Sequence, residues 1–118
     1  MEKLTVYYNP DCSKCKKLRI LLSGQELEVE WVNYLEMPLE EDQLANLLEK
    51  LACQPSEVIR LAEDDRTGLS EKDLFQLLVE KPELLNRPII ERDKTAFLCR
   101  PLDIIKEKMP EYDWSQYL

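Results

Sequence analysis

The chain has 118 residues, 44% of them apolar, with a formal net charge of −8, two Gly, four Cys and no His. That length and apolar share suit one packed domain, 1–118, and exclude a disordered chain. The acidic balance argues against nucleic-acid binding, two glycines leave no room for a Gly-rich phosphate loop, and the missing histidine removes Cys–His and Ser–His catalysis and His-ligated metal sites.

Leu4-Thr5-Val6-Tyr7-Tyr8 alternates and runs into Asn9-Pro10-Asp11, which reads as a strand ending in a turn. Leu18, Leu21 and Leu22 recur at helical spacing over 13–22, and Ser23-Gly24 supplies the stop. Residues 29–34 read as a second strand. A β–α–β unit therefore opens the chain, and its right-handed crossover makes the two strands parallel neighbours.

The middle, about 39–83, is predicted to be helical. Leu44, Leu47, Leu48 and Leu51 form one apolar stripe, and a short helical stretch after Pro55-Ser56 carries Val58, Ile59 and Leu61. Ser70-Glu71-Lys72-Asp73 resembles a helix start, with Leu74, Leu77 and Leu78 as the buried face and Pro82 as the end. Pro88-Ile89-Ile90-Glu91 and Thr95-Ala96-Phe97-Leu98-Cys99 flank a polar Arg92-Asp93-Lys94 turn, a hairpin signal, and Pro101 fits the first position of a closing helix through Ile104 and Ile105. Trp114 and Tyr117 are expected to pack on the same chain. This order is that of an α/β, thioredoxin-like fold: a mixed four-stranded sheet with a helical insertion between the βαβ and ββα halves.

No apolar run approaches the ~18 residues of a membrane span, and the N-terminus lacks a signal-peptide pattern, so a cytoplasmic protein without membrane contact is expected. In that compartment Cys12, Cys15, Cys53 and Cys99 are not expected to form structural disulfides. Cys99 in an apolar strand and Cys53 after a helix end read as buried small hydrophobes.

Cys12 and Cys15 differ. Cys12 falls where the first strand hands over to the first helix, and unpaired backbone N–H groups and the helix dipole there favour a thiolate over a thiol that ordinarily titrates near ~8.5. Lys14, Lys16, Lys17 and Arg19 are expected to add to that field, and Asp11 to oppose it. Cys15, one turn on, is placed to resolve a bond formed at Cys12. A CxxC beside a βαβ unit reads as a redox pair; its rivals are a structural pair or half of a zinc site, and with no second CxxC no metal is expected.

Charge is uneven. Residues 1–24 carry five Lys/Arg against two Asp/Glu, and 84–100 carry four against two, whereas 25–83 carry five against sixteen. Two basic islands in an acidic chain read either as solvated helix charge or as a local anion site.

Asn9-Pro10-Asp11-Cys12, Ile59-Arg60, Asn86-Arg87-Pro88-Ile89 and Leu98-Cys99-Arg100-Pro101 stand in the chain in that order. With them, and as far as about Ile105, the chain resembles the glutaredoxin-dependent arsenate reductase family, which shares its fold with the Spx-type transcription regulators. The resemblance implies Cys12 as the nucleophile that forms a thiol–arsenate adduct, with Arg60, Arg87 and Arg100 around the oxyanion. It implies Pro88 as the cis-proline beside the active cysteine. It further implies a small oxyanion substrate, no bound cofactor, and glutathione or glutaredoxin as thiol donor; a monomer is expected. The arginine requirement has a physical basis, since a guanidinium is a planar, permanently charged fork that suits a tetrahedral oxyanion.

Two positions depart from the family pattern. Tyr8 stands where the arsenate reductases carry a histidine, and the loop is Cys12-Ser13-Lys14-Cys15 rather than one with a single cysteine. The CxxC resembles the Spx branch, where the pair is a redox switch on a protein that binds RNA polymerase. Three readings follow: an arsenate reductase, a general dithiol oxidoreductase, or a redox-controlled binding module.

Overall fold

In the computed structural model, which describes residues 1–115, strand β1 (Glu2–Tyr8) lies inside a four-stranded sheet of order β2-β1-β3-β4. Strand β2 (Leu27–Asn33) pairs parallel with β1, from Glu2 opposite Leu27 to Tyr8 opposite Asn33. Strand β3 (Ile89–Glu91) runs antiparallel to β1, and β4 (Ala96–Leu98) antiparallel to β3. The Arg92 N–H donates to the Thr95 carbonyl at 2.7 Å and closes the hairpin. The mixed α/β sheet of a thioredoxin-like fold is present.

Helix α1 (Ser13–Ser23) makes the crossover between β1 and β2 and buries Cys15, Leu18, Leu21 and Leu22. Helices α2 (Glu41–Leu51), α3 (Pro55–Val58) and α4 (Glu71–Glu80) fill the stretch between the two halves. The start of α4 is a capping box: Ser70 Oγ accepts from the Asp73 N–H at 3.1 Å and Asp73 Oδ2 from the Ser70 N–H at 3.0 Å. Each bond satisfies a donor that the first helical turn would otherwise leave unpaired.

Side chains alternate across a strand, so adjacent residues feed opposite layers. Val6 and Ile90 pack with Leu18, Leu22, Ile105 and Met109 on one face of the sheet. Ile89 and Ala96 pack with Leu44, Leu47, Leu74 and Leu78 of the inserted helices on the other. Three layers result, with the sheet in the middle.

The C-terminal stretch differs in detail from the sequence expectation. Pro101 stands one residue before a single 3₁₀ turn, Leu102–Ile104, which leads into helix α5 (Ile105–Lys108). Trp114 is buried on the same chain, its Nε1–H donating to the Met109 carbonyl at 2.8 Å. Tyr117 lies outside the described residues. Cys99 is fully buried, while Cys53 is only half-buried, between helices α2 and α3. Among the described residues no helix is long and apolar enough to cross a membrane.

Candidate active site

The loop after β1 is built around Asn9, whose side chain is buried. Its Oδ1 accepts from the Asp11 N–H at 2.9 Å and its carbonyl from the Cys12 N–H at 3.0 Å, so one residue folds the turn that presents the cysteine. Cys12 is then the N-cap of α1, with extended backbone angles, and its carbonyl accepts the first helical bond from Lys16 at 3.1 Å. All four cysteines are free thiols, with Cys12 9% and Cys15 3% exposed.

Two arginines approach from the far half of the chain. Arg100 Nη1 lies 3.9 Å from Cys12 Sγ and also donates to the Arg87 carbonyl at 3.0 Å, so the two arginine segments brace each other. The Arg87 guanidinium donates to the Glu83 carbonyl at 3.4 Å, and its Nε is buried without any hydrogen-bond partner. Each of these arginines directly precedes a cis-proline, Pro88 and Pro101. Pro88 thus has the geometry the resemblance implies, and the second cis bond had no signal in the spacing. The Cys99 N–H donates to the Pro88 carbonyl at 2.8 Å and ties the two segments together.

Arg60 is placed differently. An antiparallel bridge joins Ile59 to Leu85, and the Arg60 N–H donates to the Leu84 carbonyl at 2.7 Å, which brings its backbone beside the segment leading into Arg87. Its side chain is exposed and makes no hydrogen bond or ion pair among the described residues. The structure brings Arg87 and Arg100 to the sulfur. It leaves Arg60 at the surface.

The two thiols are driven apart in acidity. Burial pushes the Cys12 thiol up, but the Cys15 N–H, the Cys15 thiol, the Lys14 N–H and the Arg87 guanidinium outweigh it and hold Cys12 down, to about 7. Burial raises Cys15 to about 11, against the Asn9 N–H that lowers it and with the Cys12 thiol beside it that raises it further. Cys12 is thus the more acidic thiol of the pair, and Cys15 stays protonated near neutral pH. The backbone N–H groups expected at the helix tip do lower Cys12, joined by Arg87, while none of the four nearby cationic side chains is among the leading contributions and Arg19 lies over the Trp31 ring, 4.4 Å from its centroid.

Tyr34 is the site neighbour that sequence patterning missed. It is 1% exposed, its hydroxyl donates to the Leu85 carbonyl at 2.9 Å, and burial pushes it up to about 12 against the opposing influence of Arg87. It holds the segment that carries Arg87. A tyrosine at the end of a predicted strand gave no hint of this, because its partner lies 51 residues away. Among the described residues no group of three His, Cys, Asp or Glu side chains is placed to hold a metal ion.

An acidified Cys12 at the tip of α1, Cys15 one turn on and the Arg100 guanidinium 3.9 Å from the Cys12 sulfur thus stand together after the end of β1 on a thioredoxin-like sheet. Residues 7–108 match the model of the ArsC family, and the chain belongs to that family. It is 28% identical to an arsenate reductase of Escherichia coli K12, over 94% of this chain and 84% of that protein. It is 32% identical to the global transcriptional regulator Spx of Streptococcus pyogenes, over 77% of this chain and 73% of that one. Among solved structures, the arsenate reductase of Vibrio cholerae superposes with a TM-score of 0.77 at 26% identity, covering 90% of this chain and 97% of the other.

Proposed function

We propose that this chain is a single-domain cytoplasmic enzyme that reduces arsenate to arsenite through a Cys12 thiol–arsenate adduct. The observation that carries the reading is the pair of guanidiniums at the sulfur. Arg100 donates toward Cys12 Sγ, Arg87 keeps a buried Nε without a partner, and neither forms an ion pair with a carboxylate among the described residues. A buried donor without a partner costs about 1–3 kcal/mol, and a bound oxyanion offsets that cost.

The Cys12 thiolate attacks As(V), and an arsenate oxygen leaves as water or hydroxide while the arginines neutralise the developing charge. A second thiol then attacks the Cys12 sulfur. The S–As bond breaks, its electron pair stays on arsenic as As(III), and arsenite departs. The mutual influence of the two thiols on each other's acidity supports Cys15 as that second thiol, and its proton goes to the departing oxyanion. The resulting Cys12–Cys15 disulfide is reopened by glutathione or a glutaredoxin-type donor.

The test is steady-state arsenate reduction with glutathione and glutaredoxin. Turnover by the wild type, abolished in Cys12→Ser and strongly reduced in Cys15→Ser, is the expected result; an inactive wild type contradicts it. A second reading is favoured by the CxxC pair and the similarity to Spx: a redox switch that binds RNA polymerase without catalysis. Capture of RNA polymerase only by the oxidised chain, together with no arsenate turnover, supports that reading instead.

A further inference from the structure

The end of β1 and the first two turns of α1 enclose a hollow of about 280 Å³ lined by Tyr8, Asn9, Pro10, Cys15, Lys16 and Arg19. Cys15 lines it and Cys12 does not. Its rim is cationic: Lys16 and Arg19 are one turn apart on the same helix, and neither is paired with a carboxylate among the described residues. Arg19 is held in place by aromatic faces, 4.4 Å from the Trp31 centroid and 5.7 Å from that of Tyr8, and Tyr8 meets Trp31 edge-on at 5.8 Å. Stacking of this kind orients a guanidinium and leaves its N–H donors free for an anion. A small, walled volume with two cations and a redox cysteine in its lining suits a small molecule carrying both carboxylate and thiol.

We infer that this hollow seats a small carboxylate-bearing thiol, whose thiolate opens the Cys12–Cys15 disulfide at the sulfur of Cys15. The inference rests on the disulfide of the reading above and names the site of its thiol donor. Displacement at a disulfide proceeds along the S–S axis from the side away from the leaving sulfur. The hollow is lined by Cys15 and not by Cys12, so a thiolate seated in it meets Cys15 first.

In the first step the incoming thiolate forms a bond to Cys15 Sγ, the Cys12–Cys15 bond breaks, and the electron pair leaves on Cys12. There the helix-tip N–H groups and Arg100 receive it. In the second step another thiolate attacks the bound thiol's sulfur, releasing the small disulfide and Cys15, which takes a proton from solvent. Two thiols are oxidised to one disulfide and one protein disulfide is reduced to two thiols. The unequal acidities favour this direction, because the more acidic thiol is the better leaving group.

The experiment starts from protein oxidised with diamide, without arsenate, and follows reopening by glutathione and by the uncharged 2-mercaptoethanol. Acid-trapped mixed disulfides are located by peptide mass spectrometry. Glutathione is expected on Cys15. The Lys16→Gln/Arg19→Gln variant is expected to slow glutathione about tenfold and to leave 2-mercaptoethanol within about twofold of wild type, with partial recovery in Lys16→Gln/Arg19→Lys. Glutathione found on Cys12, equal slowing of both thiols, no slowing of either, or no disulfide after oxidation overturns the inference. Because arsenate is absent, failure here is distinct from failure to reduce arsenate.

Discussion

The two ends of the sheet use the same residue type for opposite purposes. At the end where β1 begins, Arg92 grips Glu2 with Nε–Oε2 at 2.6 Å and Nη2–Oε1 at 2.8 Å, and its Nη1 reaches Glu111 at 3.3 Å. Tyr112 donates to the same Glu2 at 2.7 Å, and nearby Lys50 pairs with Glu91 at 3.0 Å, which also accepts from the Tyr7 hydroxyl at 2.8 Å. At the end where β1 finishes, the partners of Arg87 and Arg100 among the described residues are carbonyls and a sulfur, and Arg87 Nε is left without one. In a chain with 24 acidic residues, keeping carboxylates away from two partly buried guanidiniums is what distinguishes a site from a strut.

The sharpest way to break this comparison is at the sulfur itself. Cys12→Ser is expected to reduce arsenate turnover to background, because the other three thiols are all raised rather than acidified. Arg87→Ala and Arg100→Ala are expected to lower kcat/KM about 100-fold each, the usual cost of removing one oxyanion donor. Their melting temperatures should fall less than that of Arg92→Ala, since each loses only a single hydrogen bond to a carbonyl. Arg92→Ala should show the reverse, with kinetics intact and stability lowered by about 2 kcal/mol in urea unfolding, since it removes a bidentate, partly buried pair.

Two pH measurements sharpen the contrast further. Alkylation of Cys12 by iodoacetamide should rise with pH through a midpoint of about 7, and Arg87→Ala should move that midpoint up toward an ordinary thiol. At the opposite end, hydrogen bonding by Arg92 holds the Glu2 carboxyl below its ordinary 4.5. A lowered acid contributes stability that is full above the ordinary value and fades as pH falls through the folded one. Glu2→Gln should therefore cost about 1 kcal/mol near neutral pH. In strong acid it should cost nothing.

Local pattern announced the strands, the helix starts and the cysteine loop, because alternation, helical spacing and capping residues act within a few positions. The four motifs also carried Arg87, Arg100 and the cis geometry at Pro88. What remained hidden depends on pairs far apart in the chain. The hydrogen bond from Tyr34 to Leu85, the grip of Arg92 on Glu2 and the stacking of Arg19 on Trp31 have no local signature. Arg87, which acidifies Cys12 alongside the expected helix-tip N–H groups, and Arg60, exposed on a backbone pinned beside the arginine segment, are likewise placed by long-range contacts.

If Arg87 and Arg100 form a carboxylate-free anion site beside the acidified Cys12, arsenate bound there shields the sulfur. The rate of Cys12 alkylation near neutral pH, measured against rising arsenate, tests it most directly. Saturable protection in wild type and in Arg92→Ala, lost in the Arg87→Ala/Arg100→Ala double variant, is the predicted result. Alkylation that proceeds at the same rate whatever the arsenate concentration would contradict the account.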